Sequence, residues 1–147
     1  MRDPRPSTEP NPQEWLRFAL NDLRAARKLR ADPDILANVV GFHAKQAVEK
    51  AIKALCVHAG LRFPFTHDLE QLFGFYRRQG HRVPIDLAAL DELTPYAGHR
   101  RYPGLIHQPG EAEIRRLLGV AEQVIAWAES VINPPPAPPA SAASEGQ

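Results

Sequence analysis

The sequence predicts an all-α protein, built as a bundle of about five helices. Apolar residues recur at helical spacing through most of the 147-residue chain, and no segment shows the alternation of a half-buried strand. Prolines concentrate at the two ends, where nine of the 15 lie within 4–12 and 134–139. We therefore expect one helical domain at 13–132, between a disordered tail at 1–12 and a disordered Pro/Ala-rich tail at 133–147.

The first helix has a clear start and two distinct faces. The segment Asn11-Pro12-Gln13-Glu14 combines an N-cap residue, a proline at the first helical position and a glutamate at the third. The polar face that follows carries Arg17, Asn21, Arg24 and Lys28. Asp22 falls near the centre of the opposite, apolar face. We interpret Asp22 as a buried carboxylate satisfied by an arginine or a helix end, in preference to a catalytic residue.

The second helix is predicted from about Asp34 to Ala59, and Gly60 ends it. Its apolar residues repeat at heptad-like spacing and are mostly small, which allows close helix packing: Val40, Ala44, Ala47, Ala51 and Leu55. A separate polar stripe contains His43, Gln46, Lys50 and Lys53. Glu49 and Lys53 are spaced to form an i,i+4 ion pair.

Two shorter helices are predicted next. Thr66 is expected to cap the third helix, with Asp68 in its first turn and Gly80 near its end. Asp86 is expected to cap a short fourth helix, which Pro95 closes. These signals are local, because each relies on a side chain next to the helix end.

An irregular stretch precedes the last helix. Residues 96–104 cannot form a regular helix because they include Gly98, Pro103 and Gly104. The last helix is predicted from about 110 to 132, with a buried face of Ile114, Leu117, Leu118, Ala121, Val124, Ile125, Ala128 and Ile132.

Composition excludes several classes of protein. The formal net charge is +1, which is too low for a strongly basic nucleic-acid binder. A single cysteine, Cys56, excludes an internal disulfide framework and a Cys-rich metal site, and its apolar neighbours favour a packed thiol. No signal peptide or membrane-length apolar run is present, so we expect a cytoplasmic protein. The histidines show no metal-ligand spacing, and no cofactor motif occurs, so we predict neither metal nor cofactor.

Two stretches could carry chemistry. In Thr66-His67-Asp68-Leu69, a structural role is favoured, with His67 needing only a local hydrogen bond. The other stretch is His99-Arg100-Arg101-Tyr102-Pro103, followed by His107. Two adjacent arginines beside histidine and tyrosine, on a loop stiffened by proline, are typical of a phosphate site. Paired exposed arginines are also common on surfaces, so the residues alone leave both interpretations open.

The chain resembles the HEPN family, small helical proteins often encoded beside minimal nucleotidyltransferases. The resemblance covers nearly all of 13–132 and lies in four ordered segments: Ala19-x-x-Asp22-Leu23-x-x-Ala26, Phe42 to Leu55, Thr66-His67-Asp68-Leu69 and Arg101-Tyr102-Pro103. It implies an up-and-down helical bundle that forms a homodimer. Many members are metal-independent ribonucleases, frequently toxins that are paired with a nucleotidyltransferase antitoxin.

The family signature is an arginine followed after four to six residues by a histidine. Arg101-x5-His107 and Arg100-x6-His107 fit it, and so does Arg62-x4-His67. Chance alone supplies roughly one or two such matches in this composition, so context decides. Only the matches that end at His107 lie where the family places the motif, before the last helix.

The resemblance assigns a role to each residue of this segment. His107 would be the general acid/base and Arg101 the group that stabilises charge on the phosphate, in a cleft shared by two protomers. The remaining candidates would bind the RNA or nucleotide: His67, His99, Arg100 and Tyr102.

The sequence also departs from the catalytic pattern. In active members the arginine and histidine commonly share a helix, whereas Pro103 and Gly104 break any helix here. The Arg-Tyr-Pro form belongs to a branch for which a second function is expected: a non-catalytic subunit that binds nucleotide, nucleic acid or substrate for a nucleotidyltransferase. Such a partner could also modify Tyr102. A third alternative is an interaction protein whose loop merely packs.

Overall fold

The computed structural model describes residues 9–96 and 107–137. These residues form five α-helices and a short 3-10 turn, Thr94–Tyr96, and contain no strand. The helices are α1 (Pro12–Arg30), α2 (Ala37–His58), α3 (Leu69–Arg78), α4 (Leu87–Asp91) and α5 (Glu111–Ile132). The predicted all-α class is confirmed. Within the described residues, no helix has the length and apolar character needed to cross a membrane.

The centre of the bundle is α2, against which both α1 and α5 pack. At one end, Arg30 at the end of α1 pairs with Glu111 at the start of α5. At the other end, Gln13 in the first turn of α1 hydrogen-bonds with Asn133, just after α5. These contacts show that α1 runs antiparallel to α5. The smaller helix α3 packs on α2 from the side and leads to α4.

The predicted start of α1 is confirmed in atomic detail. Asn11 Oδ1 accepts a hydrogen bond from the Glu14 backbone N–H at 2.9 Å, and Glu14 Oε1 accepts one from the Asn11 N–H at 3.1 Å. This reciprocal arrangement is a capping box. The end of α2 is also as predicted, because Gly60 follows it with φ = 73°, a backbone conformation that favours glycine.

Two helix starts differ from the predictions. The cap of α3 is Asp68, not Thr66: Asp68 Oδ1 accepts from the Gln71 N–H at 3.3 Å. The Thr66 hydroxyl instead accepts from the Asp68 N–H at 3.1 Å, forming a turn that delays the helix. Likewise α2 begins at Ala37, three residues after the predicted Asp34.

The later start of α2 has a local cause. The Asp34 N–H donates to the Asp32 carboxylate at 2.9 Å, so these residues form a turn rather than a helix start. Leu36 then occupies the N-cap position of α2 and supplies no side-chain cap. By contrast, Asp86 caps α4 as predicted, accepting from the Ala88 N–H at 3.0 Å.

A close contact joins α2 to the 3-10 turn. Tyr96 is buried, and its ring lies directly over Gly41 of α2. A Cβ atom added at Gly41 would lie 2.5 Å from Tyr96 Cδ1. Glycine at position 41 is therefore what allows the tyrosine ring to reach this depth.

We predict that Gly41→Ala destabilises the protein by about 1–3 kcal/mol, because the Tyr96 ring must move out of a packed position. The matched control is Gly119→Ala in α5, where an added Cβ meets nothing within 4 Å. Since alanine is the better helix former, the control should stabilise the protein by about 0.5–1 kcal/mol. Urea unfolding of both variants measures the difference, and a neutral Gly41→Ala variant would contradict the packing argument.

Candidate functional site

The described part of the predicted site contains His107, which lies in the segment just before α5. Its side chain is 54% exposed, so the imidazole is open to solvent. His107 Nε2 lies 3.0 and 3.1 Å from the two carboxylate oxygens of Glu113, in the first turn of α5. The carboxylate fixes the direction of the ring and holds one nitrogen, as orienting carboxylates do for catalytic or ligating histidines.

Glu113 is itself held by a second partner. The buried Tyr96 donates its hydroxyl hydrogen to Glu113 Oε2. The hydrogen bonds with Tyr96 and then with His107 lower the pKa of Glu113. Burial, and then the hydrogen bond to Glu113, raises the pKa of Tyr96. The carboxylate therefore stays ionised and the phenol stays protonated across the physiological range, which keeps the Tyr96–Glu113–His107 contacts in place.

The neighbouring residue, Gln108, attaches this segment to α2. Gln108 Oε1 accepts from the Asn38 backbone N–H at 3.0 Å, and Gln108 Nε2 donates to Asn38 Oδ1 at 2.9 Å. Because α2 lacks a side-chain cap at Leu36, Gln108 supplies a partner for one of its free N–H groups. His107 is thus fixed on both sides, by α5 through Glu113 and by α2 through the adjacent residue.

The other predicted histidine, His67, belongs to a different cluster. Its Nδ1 lies 2.8 Å from Glu49 Oε2, while the rest of the ring is exposed. Glu49 also accepts from Lys45 at 2.7 Å and from Lys53 at 2.8 Å. Lys45 donates in addition to the His67 backbone carbonyl at 2.7 Å. The hydrogen bond of His67 is therefore not the local one expected, because its acceptor is a buried carboxylate of α2, 18 residues earlier in the chain.

The structure does not bring His67 and His107 into one group. Gln108 contacts Asn38, whereas the His67 carbonyl contacts Lys45. These two anchor points are seven residues apart on α2, which corresponds to about 10 Å along the helix axis. The remaining candidates lie outside the described residues: His99, Arg100, Arg101 and Tyr102.

The partners of Asp22 differ from the expected arginine or helix end. Asp22 is 7% exposed, and its carboxylate pairs with His43 Nδ1 at 3.0 Å and with the Lys50 ammonium. The prediction that Asp22 is buried and satisfied is correct, but its partners come from α2. The polar stripe predicted for α2 contains His43 but does not indicate this contact with Asp22. The spacing of His43 and Lys50, two helical turns apart on one face, was the available signal.

Cys56 is fully buried, and burial raises the pKa of its thiol to about 12, as expected for a packed thiol. Among residues 9–96 and 107–137, no group of three or more His, Cys, Asp or Glu side chains could hold a metal ion.

The fold defines a class, small all-α proteins in which a central helix packs against two other long helices. The HEPN domain family model matches residues 12–131, so the chain belongs to the HEPN family. A solved archaeal HEPN homologue is similar to the chain with a TM-score of 0.60 and 16% identity, over 85% of this chain and 100% of the other. A HEPN domain protein from Thermotoga maritima gives a TM-score of 0.56 and 21% identity, over 80% and 96%. The comparison with curated protein sequences gave no match.

Because Glu49 is buried among cations, we predict that the free energy of unfolding falls in acid. Burial alone would raise the pKa of Glu49, but hydrogen bonds from Lys45, Lys53 and His67 outweigh it and lower the pKa below 4.5. The pKa of Glu49 is lower in the folded state than in the unfolded state. The stabilisation that Glu49 contributes is therefore complete at pH values above its unfolded-state pKa, and it disappears as the pH falls through the folded-state pKa. Unfolding free energies measured from pH 7 to pH 3 should therefore decline.

We expect Glu49→Gln to cost about 3 kcal/mol at pH 7, since it leaves two buried lysines without a counter-charge. The variant should also show a shallower decline in acid, because the titrating group is gone. Glu122→Gln is the matched control: Glu122 is exposed and pairs with Arg27, so its loss should cost under about 1 kcal/mol. Equal effects at both positions would contradict a special role for the buried cluster.

Proposed function

We propose that this HEPN protein is a metal-independent endoribonuclease, acting as a homodimer and restrained as a toxin by a nucleotidyltransferase antitoxin. The observation that supports it best is His107, a solvent-accessible imidazole that Glu113 holds before the last helix. The family match and the order of the Arg101 and His107 motif agree with this function. RNA is the substrate, and no cofactor is required.

The proposed reaction is a phosphoryl transfer within the RNA strand. The 2′-hydroxyl loses its proton to His107 and attacks the adjacent phosphorus, forming a 2′,3′-cyclic phosphate. The bond to the 5′-oxygen breaks, and an imidazolium returns a proton to that oxygen. Arg101 stabilises the charge on the phosphorane, and Arg100, Tyr102 and His99 position the strand. Two protomers would place two such sets in one cleft.

The test in cells is expression of the chain alone, as wild type and as His107→Ala. We expect the wild type to arrest growth and fragment total RNA on a gel, and the variant to do neither, because the acid/base group is lost. Arg101→Ala should behave like His107→Ala. Healthy growth and intact RNA with the wild-type protein would reject the ribonuclease.

A second prediction concerns Glu113. Glu113→Gln keeps a hydrogen-bonding group but removes the charge that orients His107, so RNA cleavage by the purified protein should fall about 10- to 100-fold. Glu111→Gln removes the same charge from the same helix turn, where the carboxylate pairs with Arg30 instead. Its cleavage rate should stay within about twofold of wild type. Equal rates for both variants would show that Glu113 does not support the reaction.

One observation favours the alternative function, a non-catalytic subunit that binds nucleotide or nucleic acid for a nucleotidyltransferase. His107 lies outside α5, in the non-helical segment before it, so the arginine and histidine do not share that helix. Binding of ATP or RNA by a protein that leaves the RNA intact, with binding lost in Arg101→Ala, would support this function over the ribonuclease.

A further inference from the structure

The outward face of α1 carries a straight row of polar side chains. Arg17, Asn21, Arg24 and Lys28 are spaced at i, i+4, i+7 and i+11, and all four are exposed. We call this row the α1 stripe. It lies opposite the buried residues of the helix and extends over about 16 Å at 1.5 Å per residue. Three of its four members are cations.

The cations of the α1 stripe differ from the other cations of the same helix. Arg27 pairs with Glu122 at 3.0 Å, and Arg30 pairs with Glu111. Within the described ranges, by contrast, no carboxylate pairs with Arg17, Arg24 or Lys28. The guanidinium of Arg17 lies 5.7 Å from the centre of the Phe18 ring. Ion pairs within the bundle therefore do not explain why the stripe carries three cations.

Helix α1 is more basic than α5, although the overall charge of the protein is almost neutral. α1 contains five Lys or Arg residues against two acidic ones, whereas α5 contains two against four. The net charge of +1 conceals this division. Fields of this kind concentrate anionic ligands on one face of a protein.

The two acidic residues of α1 are already occupied by partners. Phe18 lies one helical turn before Asp22, whose carboxylate is buried and already paired with Lys50 and His43 of α2. The Lys50 and His43 side chains are 30% and 27% exposed. Asp22 thus contributes no free negative charge. At the other end, the Glu14 carboxylate accepts the Asn11 N–H in the helix cap.

We propose that the α1 stripe binds the sugar-phosphate backbone of single-stranded RNA. A row of cations with little intervening acid fits an anion whose charges repeat along a chain. A flexible phosphodiester backbone can bend to follow a straight helix, whereas an acidic protein would have to hold its carboxylates at matching spacing. The planar guanidinium groups of Arg17 and Arg24 suit phosphate oxygens, and Phe18 offers an aromatic ring for stacking. RNA as the ligand rests on the proposed function, but the surface lies on a different helix from His107.

The test is fluorescence anisotropy with a labelled 2′-O-methyl RNA strand, which lacks the attacking hydroxyl and so cannot be cleaved. Arg17→Gln/Arg24→Gln should weaken binding about tenfold at low salt and reduce the slope of log K against log salt by about 1.4, at 0.7 per lost phosphate contact. Arg115→Gln/Arg116→Gln on α5 removes the same charge and is the matched control, with affinity close to wild type.

Three outcomes would overturn the proposal: no RNA binding by the wild-type protein, wild-type affinity in the stripe variant, or equal losses in both double variants. Poly-glutamate is added as a competitor, and displacement of the RNA at equal charge concentration would identify an acidic-protein surface instead. Because the strand cannot be cut, binding is scored independently of catalysis. If the stripe binds the 2′-O-methyl strand but the wild-type protein does not cleave unmodified RNA, the ribonuclease proposal is rejected and the binding proposal is retained.

Discussion

The bundle depends on a constraint at its centre: α2 is enclosed by other helices, yet it places Lys45 and Glu49 at positions that are only 3% exposed. Fully buried alanines on its apolar face let α1 and α5 approach closely: Ala44, Ala47, Ala51 and Ala54. Close packing removes water from the charged groups as well, so each must find a partner inside the protein. Glu49 supplies one for two lysines and for His67, and the ammonium of Lys53 also lies 5.3 Å from the Phe63 ring centre. The connection between α2 and α3 is therefore held by the charges of α2 as well as by its own Phe63, which is buried in the core.

The same helix also organises the candidate site, near its N-terminal end. Gly41 leaves room for the Tyr96 ring, Tyr96 holds Glu113, and Glu113 orients His107. Asn38 and Gln108 add a second connection from α2 to the site. A histidine on an irregular segment would ordinarily sample many directions, at a cost in entropy when substrate binds. Here the contacts made by α2, the 3-10 turn and α5 already order the histidine in the folded protein. A catalytic or binding group benefits from being ordered before its ligand arrives.

Features that depend on neighbouring residues could be predicted from the sequence, and features that depend on distant ones could not. The capping box of α1, the glycine that ends α2 and the cap of α4 follow from three or four adjacent residues. Even locally, two polar residues can compete: Asp68 caps α3, and the hydroxyl of Thr66 turns toward Asp68 instead. The partners of Asp22 lie 21 and 28 positions away, so only the docking of α1 on α2 reveals them. The role of Glu113 could not be predicted from the sequence, because it depends on how the chain enters α5.

The charges around His107 determine what else the site must contain. Two carboxylates, Glu111 and Glu113, lie in the first turn of α5. Arg30 pairs with one of them, and His107 itself pairs with the other. A phosphodiester beside His107 would face these groups, and moving an anion close to carboxylates is unfavourable unless cations compensate. The sequence provides such cations at Arg100 and Arg101, seven and six residues before the histidine. In the proposed ribonuclease, the carboxylate that orients His107 therefore increases the need for those arginines.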